Sequence, residues 1–425
     1  MRRLRWWIGA VLCVVMATGA MAREPHRPHR PHKPRTPRQP AGGTPDVPTV
    51  PANVHFADDG SIALPGRGLA IAWSPDGTRL AVGGRFREPS SGLRYDTRIA
   101  DVSAKVLEKS FSCHYFFVVA TAWTANPFLG DVVASGAGDH AIKLWDADGA
   151  GSVTCKPGQL NAADGGIRAL GEVNGWTLGL AFSPDGRFLA GASRDRMIRV
   201  WSLEPGPNQF RVIGVLYDKD AGNFASVAWQ PDGHGLVTGD RRGHVKAWDF
   251  DPAVDGFDAA TVATFATLSY EAQPGWCQAN PSATVRAPRW SDARSGWIWN
   301  VRVAPDGTRA AAAGNDGALV IYDLASGAVV VRAEAPSGAA LHGLDWRPDG
   351  ALVAVGSADH DVHVFDAATG AAYDRLEGHA DVVSAVAWSP DGHALATTAG
   401  GPRVSLALLN VTTGPDLTVR LWTAR

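Results

Sequence analysis

Three histidines stand three residues apart near the start of the chain, His26, His29 and His32, within "PHRPHRPHKPRTPRQP" (25–40). Imidazole nitrogens bind Cu(II) or Zn(II), so such a stripe is a candidate metal site. Its spacing comes from proline, which recurs at every third position from Pro25 to Pro40. A polyproline II helix has three residues per turn and sorts this period into three stripes, one of them all proline. Solvated imidazoles on an extended tail make a loose site, and neither a metal nor another cofactor is expected. The acidic run "DFDPAVDGFD" (249–258) misses calcium-loop spacing, so Asp249, Asp251, Asp255 and Asp258 read as turn caps. His342 near Asp345 suggests acid–base work, yet no nucleophile or second base shares their strands, and no catalytic residue is assigned. Beyond Cys13 the cysteines are Cys113, Cys155 and Cys277, without CxxC or CxxCH spacing. Thiol redox, zinc and attached haem are therefore unsupported.

The elements around these residues fall into two parts. Arg2, Arg3 and Arg5 precede an apolar run from Trp6 to Ala20, with Ala20 and Ala22 at the small positions before a signal-peptidase cut. That run is shorter than the roughly 20 residues a bilayer span needs. Residues 1–22 read as a signal peptide, 23–52 as a Pro/His/Arg-rich linker, disordered or polyproline II, and 53–425 as the folded body. Export to a periplasmic or extracellular location is expected, with membrane anchoring if the signal segment stays uncleaved. Residues 1–40 hold nine Lys/Arg and one Glu, near +8, which leaves about −10 on the rest given a net charge of −2. An acidic body excludes nucleic acid as a partner. Any attraction to an anionic envelope surface belongs to the basic tail.

From about residue 54 the chain repeats. Six copies of one phrase line up: "IAWSPDGTRLAVGG" (71–84), "LAFSPDGRFLAGAS" (180–193), "VAWQPDGHGLVTGD" (227–240), "VRVAPDGTRAAAAG" (301–314), "LDWRPDGALVAVGS" (344–357) and "VAWSPDGHALATTA" (386–399). Each joins two β-like runs across Pro-Asp-Gly. Proline presets φ, Asp caps its own turn and glycine accepts the left-handed backbone that follows. A third run ends in an aromatic residue, as in "IKLWD" (142–146) and "VHVFD" (362–366). The first of these completes a seventh copy, whose hairpin reads "TAWTANPFLGD" (121–131). The spacing is 43 residues from Pro305 to Pro348 and 42 onward to Pro390, a period that means propeller blades.

These phrases resemble the WD40-repeat β-propellers over roughly residues 54–425. The resemblance implies an all-β, seven-bladed ring. It also implies that His379, Thr397, Asp416 and Trp422 form the hydrogen-bonded His–Ser/Thr–Asp–Trp tetrad that braces a blade. The other blades lack the Gly-His pair, although Asp139, Asp195, Asp316 and Asp359 stand six residues before their third-strand aromatic, as Asp416 does. The last copy runs out one strand short, and "NVHFADDGSIAL" (53–64) can supply it. N- and C-terminal strands are thus expected to share one blade, which leaves no open edge.

In such a ring the first-to-second turns lie on one rim. The long segments 84–97, 146–176, 251–297 and 399–416 are expected on the other, as a recognition face of a monomeric ring. Within them 261–271 reads as a fourth strand, and Trp297 and Trp299 as a hydrophobic cap over the junction of blades 4 and 5. Trp276, Arg289, Trp290, Arg85, Arg87 and Tyr95 are the candidate partner-binding residues, since Trp and Arg dominate interface hot spots. Three residues before the hairpin proline, Ala72, Ala122, Ala181, Ala228 and Ala387 contrast with Arg302 and Asp345, read as an inter-blade ion pair. Cys113 and Cys155 fall on adjacent inter-blade links and read as a possible disulfide. The function expected is that of an exported, non-enzymatic protein-interaction scaffold. The alternatives are a propeller hydrolase or lyase with a site at the channel mouth, and an envelope metal-binding protein using the histidine stripe.

Overall fold

The computed structural model describes residues 54–88, 92–149, 151–154, 168–173, 175–218, 220–269, 271–280, 287–400 and 416–425. The chain divides into two units at Asp46/Val47. The expected signal peptide, the linker and the His26, His29 and His32 stripe lie outside the described residues. Among the described residues the second unit is seven sheets, six of four antiparallel strands and one of five whose last pair is parallel. These are the blades of a closed ring.

Each blade starts from its hairpin. The six Pro-Asp-Gly glycines (Gly77, Gly186, Gly233, Gly307, Gly350 and Gly392) all take φ between +71° and +73°, a backbone that glycine adopts without strain. The preceding Asp accepts from the N–H two residues on, at 3.0 Å from Thr78 to Asp76 and 2.9 Å from Thr308 to Asp306. The flanking runs then pair in register, Ala72 opposite Ala81 and Trp73 opposite Leu80 in blade 1. Third-strand aromatics such as Trp145, Trp201, Trp248 and Tyr322 are buried. In one layer Tyr322 and Val320 of blade 5 pack with Val237 and Ala247 of blade 4. Burial of such a side chain stabilises by about 2 kcal/mol.

Blades are also stitched at the channel. In three blades the tryptophan two residues before the hairpin proline donates its indole N–H to the inner strand of the preceding blade. Trp73 reaches the carbonyl of Ala387 (2.8 Å), Trp229 that of Ala181 (3.0 Å) and Trp346 that of Arg302 (3.4 Å). The ring closes through strand Phe56–Ala63, which pairs antiparallel with Thr418–Ala424, Ile62 opposite Val419. Both strands belong to the sheet of Val383–Trp388 and Ala394–Ala399, the last blade.

Three expectations change. The fourth strand of blade 4 is Trp290–Ala293, paired with His244–Asp249, not 261–271. That stretch holds helix α2 (Ala259–Phe265), set between α1 (Pro252–Asp255) and α3 (Gln273–Ala279). Asp258 caps α2 by accepting from Thr261 N, and Val262 and Phe265, three residues apart, are its buried pair. The local cap and the period of three outweigh the β-branched composition.

The rims change as well. Strands alternate in direction, so a connection after the third strand lies on the same rim as one after the first. Segments 146–176 and 251–297 therefore leave from the Pro-Asp-Gly rim. Asp251, the cap of α1, sits 3.0 Å from His234 in a Pro-Asp-Gly turn. Segment 84–97 and the inter-blade links hold the opposite, loop rim; of the expected segment 399–416, residues 401–415 lie outside the described residues. Finally, 84–97 is no loop: strands Arg79–Glu88 and Gly92–Asp101 extend through it as a hairpin, Arg87 opposite Leu93. Among the described residues no helix is long and apolar enough to cross a membrane.

Candidate functional site

Three aromatic positions fall immediately before inner strands on the loop rim: Phe117 before Val118–Asn126, Trp176 before Thr177–Phe182 and Trp297 before Ile298–Val303. Arginines emerge beside them at the ends of second strands. The hairpin pairing continues past the strand ends, with Arg194 N donating to Trp176 O and Arg241 N to Asn223 O, both at 3.0 Å. The guanidinium of Arg85 stands 5.3 Å from the Phe117 ring centre, that of Arg194 5.0 Å from Trp176, and that of Arg241 3.6 Å from Trp297. These are cation–π contacts.

The aromatics also touch one another. Tyr95 stacks on Phe116 at 5.9 Å, and Phe116 meets Trp176 at 5.1 Å. Trp297 meets Trp299 at 5.1 Å, and Trp299 meets His342 at the same distance. A Cβ on Gly138 would fall 2.5 Å from Phe116 and 3.0 Å from Trp176, so only glycine lets those rings close up there. The result is an arc of aromatic and basic side chains from blade 1 to blade 6. Burial first, and then the positive charge of Arg194, pull the Arg241 guanidinium down to about 10.

The candidate partner residues divide. Arg85 and Tyr95 lie in the arc, and Arg87 is exposed on the hairpin beside it. Trp276, Arg289 and Trp290 lie away from it. Trp276 packs on Phe265 (5.4 Å) and Phe257 (6.1 Å), within the layer that holds the helices on Val215 and Tyr217 of blade 3. Trp290 stacks on Tyr322 at 5.3 Å and donates to Leu324 O at 2.8 Å, while Arg289 pairs with Asp249. Trp290 thus clasps blades 4 and 5 from the outer strand, and Trp297 spans the same junction through Arg241. Trp290 opens the outer strand of blade 4, whereas Trp297 precedes the inner strand of blade 5.

The four residues of the last blade meet. His379 Nδ1 is 2.6 Å from Asp416, its Nε2 is 2.7 Å from Thr397 Oγ1, and Trp422 Nε1 donates to the same hydroxyl at 2.8 Å. A second such tetrad joins His114, Ser135, Asp139 and Trp145 at 2.7–3.1 Å. Sequence reading missed it because cysteine, not glycine, precedes His114. The usable signal was Ser135 ten residues before Trp145, with Asp139 six before. Elsewhere a basic side chain from another position takes over: Arg199 at Asp195 (2.8 Å), His244 at Asp240 (3.0 Å), Arg294 at Asp316 (2.9 Å) and His363 at Asp359 (2.9 Å). Gln273 of α3 accepts from Arg199 at 2.7 Å, which ties the helices to that brace.

In the channel, Arg302 Nε stands 3.6 Å from Asp345, which also accepts from Trp388 N at 2.8 Å. Burial raises the Asp345 carboxyl against the pull of Arg302. A cavity of about 530 Å³ opens there on the Pro-Asp-Gly rim, among Trp73, Trp123 and Trp229. Asp359, Asp361 and His363 bring ligand atoms within 4.8 Å of one another. Their oxygens are already engaged by Ser337, His363 and Arg375. Asp249 pairs with Arg289, while Asp251 and Asp258 cap helices and Asp255 accepts from Asp251 N. Cys113 lies in outer strand Val106–His114, not on a link, and is disulfide-bonded. Cys155 lies outside the described residues, and Cys277 is a buried thiol of α3.

Comparison with known proteins adds matches to two family models and a relative. A family model described as "WD domain, G-beta repeat" matches residues 170–202, 212–249 and 372–423. A second, "Anaphase-promoting complex subunit 4 WD40 domain", matches 333–391. The chain is also similar to nuclear distribution protein PAC1-2 of Uncinocarpus reesii, 31% identical over 101 residues. That match covers 23% of this chain and 18% of the relative's length.

Proposed function

We propose that this chain, a WD40-repeat β-propeller, is a non-enzymatic protein-interaction scaffold that recognises partners on its loop rim. The observation that carries the reading is the arc of stacked aromatic and arginine side chains from Arg85 and Tyr95 to Trp297 and Trp299. Tryptophan, tyrosine and arginine concentrate binding energy at interfaces, and a ring of rigid blades holds them in place without further ordering cost. The channel offers the acid Asp345 already paired with Arg302, which favours bracing over acid–base chemistry.

Export belongs to the same proposal. The segment of residues 1–22 has the pattern of a signal peptide, and the disulfide at Cys113 suits an oxidising compartment. Pairing of Cys113 with Cys155 is supported by the strand register: Phe111 stands opposite Val153 and Ser112 opposite Thr154.

The test is affinity capture from native envelope material with the wild type beside Trp176→Ala/Trp297→Ala, both forms matched for thermal stability. Loss of the captured set in the variant is the expected result. Capture of the same proteins by both forms would remove the loop rim as the recognition face.

A further inference from the structure

Two of the arc's cations differ from four buried or half-buried arginines of the ring. Arg67 donates to Gly400 O at 2.9 Å and lies 3.7 Å from Asp381. Arg98, Arg199 and Arg294 each sit against an aspartate, at Asp96, Asp195 and Asp316. Arg194 and Arg241 have no carboxylate partner among the described residues, and their side-chain contacts are the rings of Trp176 and Trp297. The Nε of Arg241 is buried and makes no hydrogen bond.

Arg194 and Arg241 hold equivalent positions just past the second strands of adjacent blades, and like charges so placed repel most where water is partly excluded. A shared anion removes that repulsion. Stacking uses the face of a guanidinium and leaves its N–H edge for in-plane, bidentate bonds to a carboxylate or phosphate. The backbone fixes both arginines, since each amide is bonded to the carbonyl before the neighbouring inner strand.

We infer that Arg194 and Arg241 form an anion clamp on the loop rim that takes an acidic side chain of an extended partner segment, between the indoles of Trp176 and Trp297. The inference rests on the scaffold reading and names the chemistry of the partner. An aspartate or glutamate carboxylate and a phosphoserine phosphate share that chemistry. The aromatic arc toward Phe116 on one side and Trp299 on the other offers flanking apolar contacts for the segment.

The test titrates fluorescein-labelled hexaglutamate and a phosphoserine-bearing hexapeptide into the full chain, read by fluorescence anisotropy at low and physiological salt. Hexaglutamine and hexalysine are the controls. Binding of at least one acidic peptide is expected, weakening with salt. Arg194→Gln/Arg241→Gln should lower that affinity roughly tenfold or more, whereas Arg194→Lys/Arg241→Lys should retain much of it. Arg302→Gln, in the channel, should change it by less than about twofold. The tighter of the two peptides identifies carboxylate or phosphate as the source. The clamp is overturned if neither acidic peptide binds the wild type, or if the glutamine variant binds as well at unchanged melting temperature. If acidic peptides fail while native capture still depends on Trp176 and Trp297, the clamp falls and the scaffold stands.

Discussion

Asp416 shows how single residues set the ring's stability. Burial opposes its charge, but hydrogen bonds from His379 and Thr418 and the attraction of His379 overcome this and hold the carboxyl at about 2. Asp359 is held at about 2 in the same way, against burial, by Ser337, Ser357 and His363. A depressed carboxyl contributes stability that is complete above the unfolded value of about 3.9 and disappears as pH falls through the folded one. Asp416→Asn should therefore lower the melting temperature at pH 7 and flatten its decline between about pH 4 and pH 2. Thermal melts across that range check it, and parallel profiles for variant and wild type would remove Asp416 as a source of acid sensitivity. The tetrad around Asp416 was legible because its histidine follows glycine as the family pattern has it. The tetrad at His114 was not, since its members are recognisable only once outer strand Val106–His114 is seen to deliver the ring to the next blade.

At the scale of elements, the helical insertion is the part least legible in the sequence. "TVATFATLSYE" offers β-branched and aromatic residues at strand-like density, and a blade needs a fourth strand. Competition from Trp290–Ala293 decides, because Trp290 can stack on Tyr322 while Tyr322 donates to Asp292 at 2.7 Å. Once that strand is filled, the earlier segment covers the outside of blade 3 as α1–α3. Gln273 is the polar link, accepting from the buried Arg199. Gln273→Ala leaves that guanidinium short of an acceptor and should cost on the order of 1–3 kcal/mol. Urea unfolding of the full chain measures it, and an unchanged midpoint would show that the helices do not support the brace at Asp195.

For the whole molecule, closure is the decisive event. Strand Phe56–Ala63 covers the outer edge of Thr418–Ala424, and Arg420 reaches back to Asp58 at 2.8 Å. Removing residues 54–63 uncovers that edge, a template for pairing with another chain. The truncated chain should melt lower by ~10 °C or more and self-associate, as seen by light scattering. A monomer with the wild-type melting temperature would show that the blade does not need its early strand. The same closure brings blades 7 and 1 side by side, with Trp73 bonded to Ala387 across the junction.

Local chemistry was fixed by the sequence alone: six Pro-Asp-Gly turns, their period and the strand that closes the ring. Proline, aspartate and glycine act on their own backbone and need no distant partner. Placement on a rim, the pairing of Arg194 and Arg241 with Trp176 and Trp297, and the fate of 261–271 were decided only by tertiary structure. Those outcomes depend on strand direction and on contacts made within a blade, as for Arg194 and Trp176, or between blades, as for Arg241 and Trp297. A tryptophan before an inner strand reads the same in sequence whether it faces a core or a neighbouring guanidinium. Only the folded blades supply the difference.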